Sequence, residues 1–417
     1  MKEQSTSKLR KNLFQLVIVT IAGSMIYGLP YFRSYYYDAY LEVYNLTNTQ
    51  MGMFGSMFGV FGAISYLFGG VVADLVSPRK LMSVSLVLTG IGGLLHLMHP
   101  SYGMLLFIYM LWGFTSLFAF WPSLLKSLRQ MASADEQSKA TGFMDGGRGI
   151  VNAVTLAITL AIFNHFSKTA SNLAGLNGVI TFYSVFVILL GIVIFFILKE
   201  ETPSGEKTER MKLSDVIDVL KIPAVWILSL TLCCTYCMNI LFYYFTPYSS
   251  NVLGVAATGA AMVTMLAQYI RPIASFAGGI AADRAPRRSM VMYCTFTMMA
   301  VCTLILALSK SMSVPLFVVL LVIIYFGMYG GYSLAFSMLP EGGVPEKSAA
   351  TAIGIVCTLG YLPEVFAPII AGRLLDNLGD AGYKPLFIGL ACMMILGIVS
   401  LVIWDRYTAK LKSRKTA

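Results

Sequence analysis

The sequence predicts an all-α integral membrane protein, with twelve transmembrane helices in two pseudo-symmetric six-helix bundles. Three observations support this fold class. Hydrophobic residues make up 57% of the 417 residues and charged residues only 12%, a balance that soluble domains rarely show. The apolar residues form stretches of about 20, long enough to cross about 30 Å of hydrocarbon as helices. A short polar motif also recurs 209 positions along the chain, which indicates an internal duplication.

Twelve apolar stretches follow one another along the chain, six in each half. They lie near residues 13–37, 49–73, 80–98, 102–125, 139–164, 177–198, 223–247, 255–281, 289–308, 313–337, 348–373 and 385–405. Each is interpreted as one membrane-spanning helix. The first stretch is too long for the apolar core of a cleavable signal peptide, so we expect it to remain in the protein.

The longest polar stretch separates the sixth span from the seventh and divides the chain into domains. We expect an N-terminal six-helix bundle over 1–198, a cytoplasmic linker over 199–222 and a C-terminal six-helix bundle over 223–417. Within the linker, Leu213, Val216, Ile217 and Leu220 follow the i, i+3, i+4, i+7 spacing. This spacing predicts a short amphipathic helix at the cytoplasmic membrane interface. Pro223 then ends that helix or begins the seventh span.

The distribution of lysine and arginine predicts which side of the membrane each loop faces. The two tails and the even-numbered connections contain 23 of the 30 basic residues, and positively charged loops are retained in the cytoplasm. We therefore expect a multi-pass protein of a bacterial-type inner membrane with both termini in the cytoplasm. The net charge of +10 follows from this topology, so nucleic-acid binding is not expected. The expected state in the lipid bilayer is a monomer.

The repeated motif lies in the loop that follows the second span of each half. Its two copies read GVVADLVSPRK and GIAADRAPRR, and a second pair, EQSKAT and EKSAAT, recurs at nearly the same offset. A glycine, three residues, an aspartate and a basic cluster resemble the loop motif of the major facilitator superfamily, over nearly the whole chain. The matching residues are Gly70, Asp74, Arg79 and Lys80 in the first copy and Gly279, Asp283, Arg284, Arg287 and Arg288 in the second.

The family resemblance implies that these residues, together with Glu136 and Glu346, form a cytoplasmic gate. A carboxylate at the cytoplasmic end of a helix, beside a basic loop, can pair with neighbouring helices in one conformation and release them in another. The alternative is that the charges only anchor the loops at lipid headgroups. The resemblance also implies the major facilitator fold, with transport by alternating access.

A narrower likeness joins this chain to the organophosphate:anion antiporter branch, which exchanges phosphorylated metabolites for inorganic phosphate. It is carried by DLVSPRK, by the Trp121-Pro122 pair and by TAIGIVCTLGYL. That branch holds phosphate with arginines in the first and seventh spans. Arg33 lies near the first of these positions, whereas the seventh span contains no arginine. Arg271 resembles in position the eighth-span arginine of a related branch that exchanges dicarboxylates.

Ionisable residues within the predicted spans are the main functional candidates. They are Arg33, Asp145, Arg148, Arg271 and Glu364. An ionised side chain in hydrocarbon costs at least ~2.5 kcal/mol, so each needs a partner or a watery cavity. Arg148 follows Glu136 by 12 residues and Arg271 precedes Asp283 by 12, which places both arginines roughly 18 Å from the cytoplasmic motifs. Their guanidinium groups match carboxylate, phosphate or sulfonate oxygens, so we expect the two to hold one anionic ligand.

Each charged candidate also has a structural interpretation. Asp145 lies three residues before Arg148, the spacing of an internal ion pair. Glu364 is either a proton carrier or the counter-charge of Arg271 in the empty carrier. Arg33 is either a ligand residue or an ion-pair partner of an outer-loop carboxylate, Asp38 or Glu42.

Polar side chains at helical spacing accompany the charged residues. The further substrate-binding candidates are Tyr27 and Tyr31 in the first span, Asn152 in the fifth, Tyr236 and Asn239 in the seventh and Gln268 in the eighth. Their hydroxyl and amide groups can line a cavity and form hydrogen bonds with a polar substrate. The alternative for the tyrosines is anchoring at the membrane interface.

Cofactor, metal and catalytic motifs are not indicated. The seven cysteines all lie in predicted spans, the three histidines are scattered, and the chain has neither a GxxxxGK(S/T) loop nor a nucleophile elbow. We therefore expect a secondary active transporter and not an enzyme. The expected substrate is a small hydrophilic, anionic organic solute such as a sugar phosphate, sulfonate or carboxylate. Exchange for a counter-anion or symport with protons would drive it, and the alternative is proton-driven export of lipophilic or cationic compounds.

Overall fold

The computed structural model describes residues 8–133, 136–199, 213–309, 311–332, 334–345 and 348–416. These residues are mostly helical, and none of them lies in a β-strand. The helices of the first half are α1 (Lys8–Lys11), α2 (Leu13–Met25), α3 (Gly28–Tyr35), α4 (Tyr37–Tyr44), α5 (Asn48–Leu75), α6 (Pro78–His96), α7 (Tyr102–Gly113), α8 (Trp121–Met131), α9 (Gln137–Thr169) and α10 (Asn172–Ile197). Those that follow are α11 (Leu213–Leu220), α12 (Pro223–Leu241), α13 (Phe245–Asn251), α14 (Ala257–Arg284), α15 (Arg288–Leu308), α16 (Val314–Tyr332), α17 (Leu334–Ser337), α18 (Ala349–Gly360), α19 (Pro363–Leu378) and α20 (Tyr383–Thr416).

Every predicted apolar stretch lies on one or more of these helices. In the described part of the chain, seven helical segments are long and apolar enough to cross a membrane, or eight if the bent pair α2 and α3 is one span. The 45° bend between them lies just before Pro30, which cannot donate a backbone N–H to the preceding turn. The all-α membrane fold is confirmed, whereas the number of twelve crossings stays a prediction.

The helix predicted from Leu213 to Leu220 is confirmed by α11. Residues 200–212 of the expected linker lie outside the described residues.

The chain divides into two compact units. The first consists of the described residues of Met1–Tyr44 and Phe68–Thr208, and the second of those of Asn45–Leu67 and Glu209–Ala417. The initial part of α5 thus packs in the second unit, although it precedes the linker by more than a hundred residues. The domain boundaries expected from the sequence stay predictions.

Close backbone contacts between α6 and α10 hold the first unit together. Ser83 on α6 donates a hydrogen bond to the carbonyl of Gly191 on α10 (2.7 Å). At Gly90, an added Cβ would lie 2.8 Å from the carbonyl oxygen of Ser184, so a larger residue cannot be accommodated without movement. In lipid there is no hydrophobic driving force between helices. Helices there associate through close packing at small residues and through interhelical hydrogen bonds of this kind.

A π-helical segment, Phe114–Phe120, interrupts the fourth predicted span between α7 and α8. It adds a residue to the local turn and ends at Trp121-Pro122, where the proline lacks a backbone N–H for the preceding turn. The segment therefore changes the helical phase immediately before Trp121.

In the second unit, the eleventh predicted span is broken between α18 and α19. Residues 361 and 362 form a turn, and Pro363 starts α19. This break places Glu364 in the first turn of α19, where it is buried. A comparable close approach joins α14 and α16, since a Cβ at Gly278 would overlap the carbonyl of Gly330.

Candidate functional site

Arg148 lies on α9 in the first unit and is held by α2 and α8. Its Nε donates a hydrogen bond to the carbonyl of Gly23 (2.9 Å). Its guanidinium carbon lies 4.8 Å from the ring centre of Trp121 and 5.7 Å from that of Tyr27. Aromatic faces attract a cation without neutralising its charge. The surroundings of Arg148 therefore support a positive charge within a predicted span.

The ion pair that the sequence allows between Asp145 and Arg148 forms, but the contact is long. The closest oxygen and nitrogen are 3.7 Å apart, and the Asp145 side chain is 58% exposed. An exposed i, i+3 pair of this kind contributes little to stability. Asp145 is thus a weak modulator of the charge on Arg148 in this arrangement.

Two of the predicted tyrosines lie beside Arg148. The ring centres of Tyr27 and Tyr31 are 6.4 Å apart, and Tyr27 meets Trp121 edge to face at 6.5 Å. Both tyrosines are half-buried, as is Asn152, which follows Arg148 by one turn of α9. The first unit therefore groups an arginine, aromatic rings and an amide, a combination suited to a polar anion.

Arg271 lies on α14 in the second unit, with its guanidinium carbon 5.4 Å from the ring centre of Tyr329. Gln268, one turn earlier on the same helix, is 6% exposed. Among the described residues, no carboxylate lies within ion-pair distance of Arg271. The charge of Arg271 is supported by an aromatic ring and remains uncompensated by the described part of the unit.

Glu364 lies within a cluster of tyrosines in the same unit. The Tyr236 hydroxyl on α12 donates a hydrogen bond to Glu364 Oε2 (2.7 Å), and Glu364 is 5% exposed. The ring centres of Tyr236 and Tyr361 are 4.4 Å apart, and the Tyr332 hydroxyl donates a hydrogen bond to the Tyr361 hydroxyl (2.9 Å). Asn239, close by on α12, is half-buried. The described arrangement gives Glu364 a hydroxyl partner and not the guanidinium of Arg271.

Arg33 is buried on α3 in the first unit. Its guanidinium carbon lies 4.7 Å from the ring centre of Tyr109, and Nη1 donates to the carbonyl of Pro30. The alternative of an outer ion pair with Asp38 or Glu42 does not form among the described residues. Glu42 instead accepts a hydrogen bond from the side chain of Asn172. Arg33 therefore stays a candidate ligand residue.

A buried histidine near Arg33 was not singled out by the sequence. His96 is fully buried at the end of α6. The Tyr40 hydroxyl lies 2.7 Å from its Nε2 and the Tyr44 hydroxyl 2.9 Å from its Nδ1. Trp112 stacks on the imidazole with ring centres 5.9 Å apart. The spacing of the two tyrosines, one helical turn apart, is the signal that could have indicated a shared partner.

Replacing His96 with phenylalanine should destabilise the first unit. An aromatic ring is kept at this position, but two buried hydrogen bonds are lost, at about 1 kcal/mol each. We expect a lower thermal unfolding midpoint for the purified protein in detergent. The exposed His165 provides the matched control, since His165→Phe should leave the midpoint unchanged. Equal midpoints for wild type and His96→Phe would show that the cluster is not structural.

The second copy of the loop motif forms one ion pair in the described part of the chain. Arg288 lies 3.6 Å from Glu341, and its Nη1 donates to the carbonyl of Ser337. Asp283 is exposed at the end of α14. The remaining members are Gly279, which is half-buried on α14, and Arg284 and Arg287, which are exposed. The partner of Arg288 is thus Glu341, a residue that the motif does not include.

The first copy is described only in part. The guanidinium carbon of Arg79 lies 4.9 Å from the ring centre of Phe195, and Lys80 is exposed. Glu136 accepts hydrogen bonds from the Leu9 N–H (3.0 Å) and the Ser133 hydroxyl (2.7 Å). Gly70 and Asp74 belong to α5 but their side chains, like the whole of Glu346, lie outside the described residues. The gate assignment stays a prediction.

Comparison with known families identifies the class of protein. The model of the Major Facilitator Superfamily matches residues 14–365 and, in a second overlapping match, residues 269–417. The chain belongs to the Major Facilitator Superfamily. Inner membrane protein YihN of Escherichia coli (strain K12) is 30% identical over 413 residues, which cover 96% of this chain and 97% of that protein. Inner membrane protein YqcE of the same strain is 27% identical over 403 residues, 94% of each chain.

Solved structures of the superfamily share the fold. A bacterial homologue of the human lysosomal transporter Spinster, inward-facing and unoccupied, has a TM-score of 0.77 at 13% identity, over 97% of this chain and 98% of that one. The nucleoside transporter NupG has a TM-score of 0.70 at 12% identity, over 94% and 98%. This superfamily chain is thus a multi-pass inner membrane transporter, of a class that binds small-molecule substrates and is not enzymatic.

Proposed function

We propose that this transporter moves a small hydrophilic, anionic organic solute by alternating access, as a secondary active carrier. Sugar phosphates, sulfonates and carboxylates are the solute classes that fit. Arg271 carries the proposal, because its charge rests on the ring of Tyr329 and no described carboxylate pairs with it. A cation kept in a membrane protein without such compensation is available to an anionic ligand.

Arg148 supports the same assignment from the first unit. The Gly23 carbonyl and the Trp121 ring hold its guanidinium, while the exposed Asp145 gives only a weak pair. The further substrate-binding residues in this proposal are Arg33, Tyr27, Tyr31, Asn152, Tyr236, Asn239 and Gln268. If one anion engages both Arg148 and Arg271, the effects of substituting them on affinity are non-additive.

Coupling is assigned to Glu364. Its carboxyl group can gain and lose a proton, and the Tyr236 hydroxyl donates a hydrogen bond to it. Proton symport uses this property directly. The other transport mode in this proposal is exchange for a counter-anion, which does not require Glu364 to bind or release a proton.

A thermal-shift panel on the purified protein tests the solute class. The panel contains sugar phosphates, sulfonates, dicarboxylates and nucleosides, with hydrophobic cations as the opposing set. Ligands that bind the folded state raise its unfolding midpoint, so the anions are expected to do so. Counterflow into liposomes with the best anion then establishes transport. Stabilisation by hydrophobic cations alone would contradict the proposal.

Proton-driven export of lipophilic or cationic compounds is the second candidate function. The observation that favours it is the position of Glu364 beside the rings of Tyr236 and Tyr361. A carboxylate and aromatic faces together can bind an organic cation. The opposing set of the same panel distinguishes this function from anion transport.

A further inference from the structure

A carboxylate fastens the start of α5 to the end of α19. Asp376 accepts hydrogen bonds from the backbone N–H of Asn48 (2.8 Å), the backbone N–H of Thr49 (2.8 Å) and the side-chain amide of Asn48 (2.9 Å). The backbone N–H of Gln50 is bonded to Thr47 Oγ1 (3.2 Å), and Gln50 Oε1 accepts from the Thr47 N–H (3.0 Å). Thr47 and Gln50 thus form a local capping box. The backbone N–H groups of Asn48 and Thr49 at the start of α5 are bonded instead to Asp376, which is 328 positions from Asn48.

Beyond this contact, the two helices approach each other closely. A Cβ at Gly52 would overlap the carbonyl of Pro368. Ser56 donates a hydrogen bond to the carbonyl of Val365 (2.5 Å). Such an approach requires glycine or another small residue at the contact. We call the contact between residues 48–59 of α5 and 364–376 of α19 the α5–α19 seam.

The seam ends at Glu364. A Cβ at Gly59 would lie 2.6 Å from Glu364 Cγ, so α5 covers one side of this residue. Tyr236 covers another side through its hydrogen bond to Oε2. Glu364 is consequently 5% exposed, although α19 itself has exposed faces. The burial of this carboxyl group depends on α5 staying in place.

We propose that the first turns of α5 are a lid over Glu364 and that Asp376 is the latch that holds the lid closed. A proton or a solute group reaches Glu364 when α5 moves away from α19, and the three hydrogen bonds of Asp376 oppose this movement. Asp376 is exposed, so the latch can open to water without leaving a buried charge. This inference rests on the proposed function only in giving Glu364 a role in proton coupling.

Chemical labelling of Glu364 tests the latch. Dicyclohexylcarbodiimide, which modifies carboxyl groups in membrane proteins, is applied to the full-length purified protein, and mass spectrometry follows modification of the peptide with Glu364. Asp376→Ala removes all three hydrogen bonds and should increase the labelling rate about fivefold, given a net loss near 1 kcal/mol for exposed bonds. Of the three hydrogen bonds to Asp376, Asn48→Ala removes the one from the side-chain amide, so a smaller increase is expected.

Asp380 provides the matched control, because it is exposed just beyond α19 and its side chain forms no hydrogen bond or ion pair in the described part of the chain. Asp380→Asn should label at the wild-type rate. Equal rates for wild type and Asp376→Ala, or equal acceleration by Asp380→Asn, would overturn the latch. If Asp376→Ala folds poorly, Asp376→Asn replaces it, since the amide keeps part of the contact and should accelerate labelling to a lesser extent.

The labelling needs no transported solute, so its outcome is independent of the anion panel. Accelerated labelling with a negative panel would reject the anionic substrate and keep the latch. Unchanged labelling with a positive panel would reject the latch and keep the substrate.

Discussion

Replacing Arg271 with glutamine should raise the dissociation constant for the transported anion about 30-fold. The amide keeps hydrogen-bonding capacity but lacks the charge, and a lost charge-assisted contact costs about 2 kcal/mol. Folding should be little affected, because Arg271 forms no ion pair among the described residues. Isothermal titration of the purified variant with the best anion of the thermal-shift panel measures the change.

Two further variants make the Arg271 result specific. Arg271→Lys keeps the charge but loses the planar pair of donors, so an intermediate affinity is expected. Arg406→Gln removes an exposed arginine on α20 and should bind like wild type. Arg271→Gln with an affinity equal to that of Arg406→Gln would remove Arg271 from the substrate site.

Three arginines within the predicted spans share one structural feature. Arg33, Arg148 and Arg271 each place the guanidinium over an aromatic ring, at 4.7, 4.8 and 5.4 Å from the closest ring centre. Only Arg148 has a carboxylate within ion-pair distance among the described residues, and that contact is 3.7 Å. Rings lower the cost of a charge in a membrane protein without cancelling it. Such support is suited to a site that must receive an anion and release it again.

Composition, the length of the apolar stretches and the repeated motif are sufficient to predict the all-α membrane fold. Each apolar stretch lies on one or more helices. The short helix from Leu213 to Leu220 coincides with the apolar residues at i, i+3, i+4 and i+7 spacing. The pair of Asp145 and Arg148 was one of two interpretations that the sequence allows, because residues three apart on a helix are neighbours. Predictions that depend on one helix, or on composition, needed no knowledge of tertiary contacts.

Contacts between distant parts of the chain were not predictable in this way. Tyr40 and His96 are 56 positions apart, and Asp376 is 328 positions from Asn48. Arg288 likewise pairs with Glu341, which lies outside the repeated motif. In each case the partner is selected by how helices pack, which neither periodicity nor charge counting specifies. The aromatic support of Arg271 by Tyr329 belongs to the same class of contact.

Replacing Glu364 with glutamine should abolish the stimulation of anion uptake by an inward proton gradient. Glutamine has nearly the same shape and its Oε1 can accept the hydrogen bond from Tyr236, so the packing against Gly59 and Tyr236 is kept. The amide cannot bind and release a proton, so a carrier that uses Glu364 for symport loses its coupling. Uptake into liposomes with and without the gradient measures the stimulation.

Counterflow at equal pH separates coupling from binding in the same Glu364→Gln protein. Exchange of solute across the bilayer needs no net proton movement, so counterflow should continue at a rate near that of wild type. Tyr236→Phe is the matched variant, because it removes the hydrogen bond but keeps the carboxyl group, and some gradient stimulation should remain. A counter-charge role for Glu364 predicts the opposite result, in which Glu364→Gln changes anion affinity and leaves the stimulation by the gradient intact.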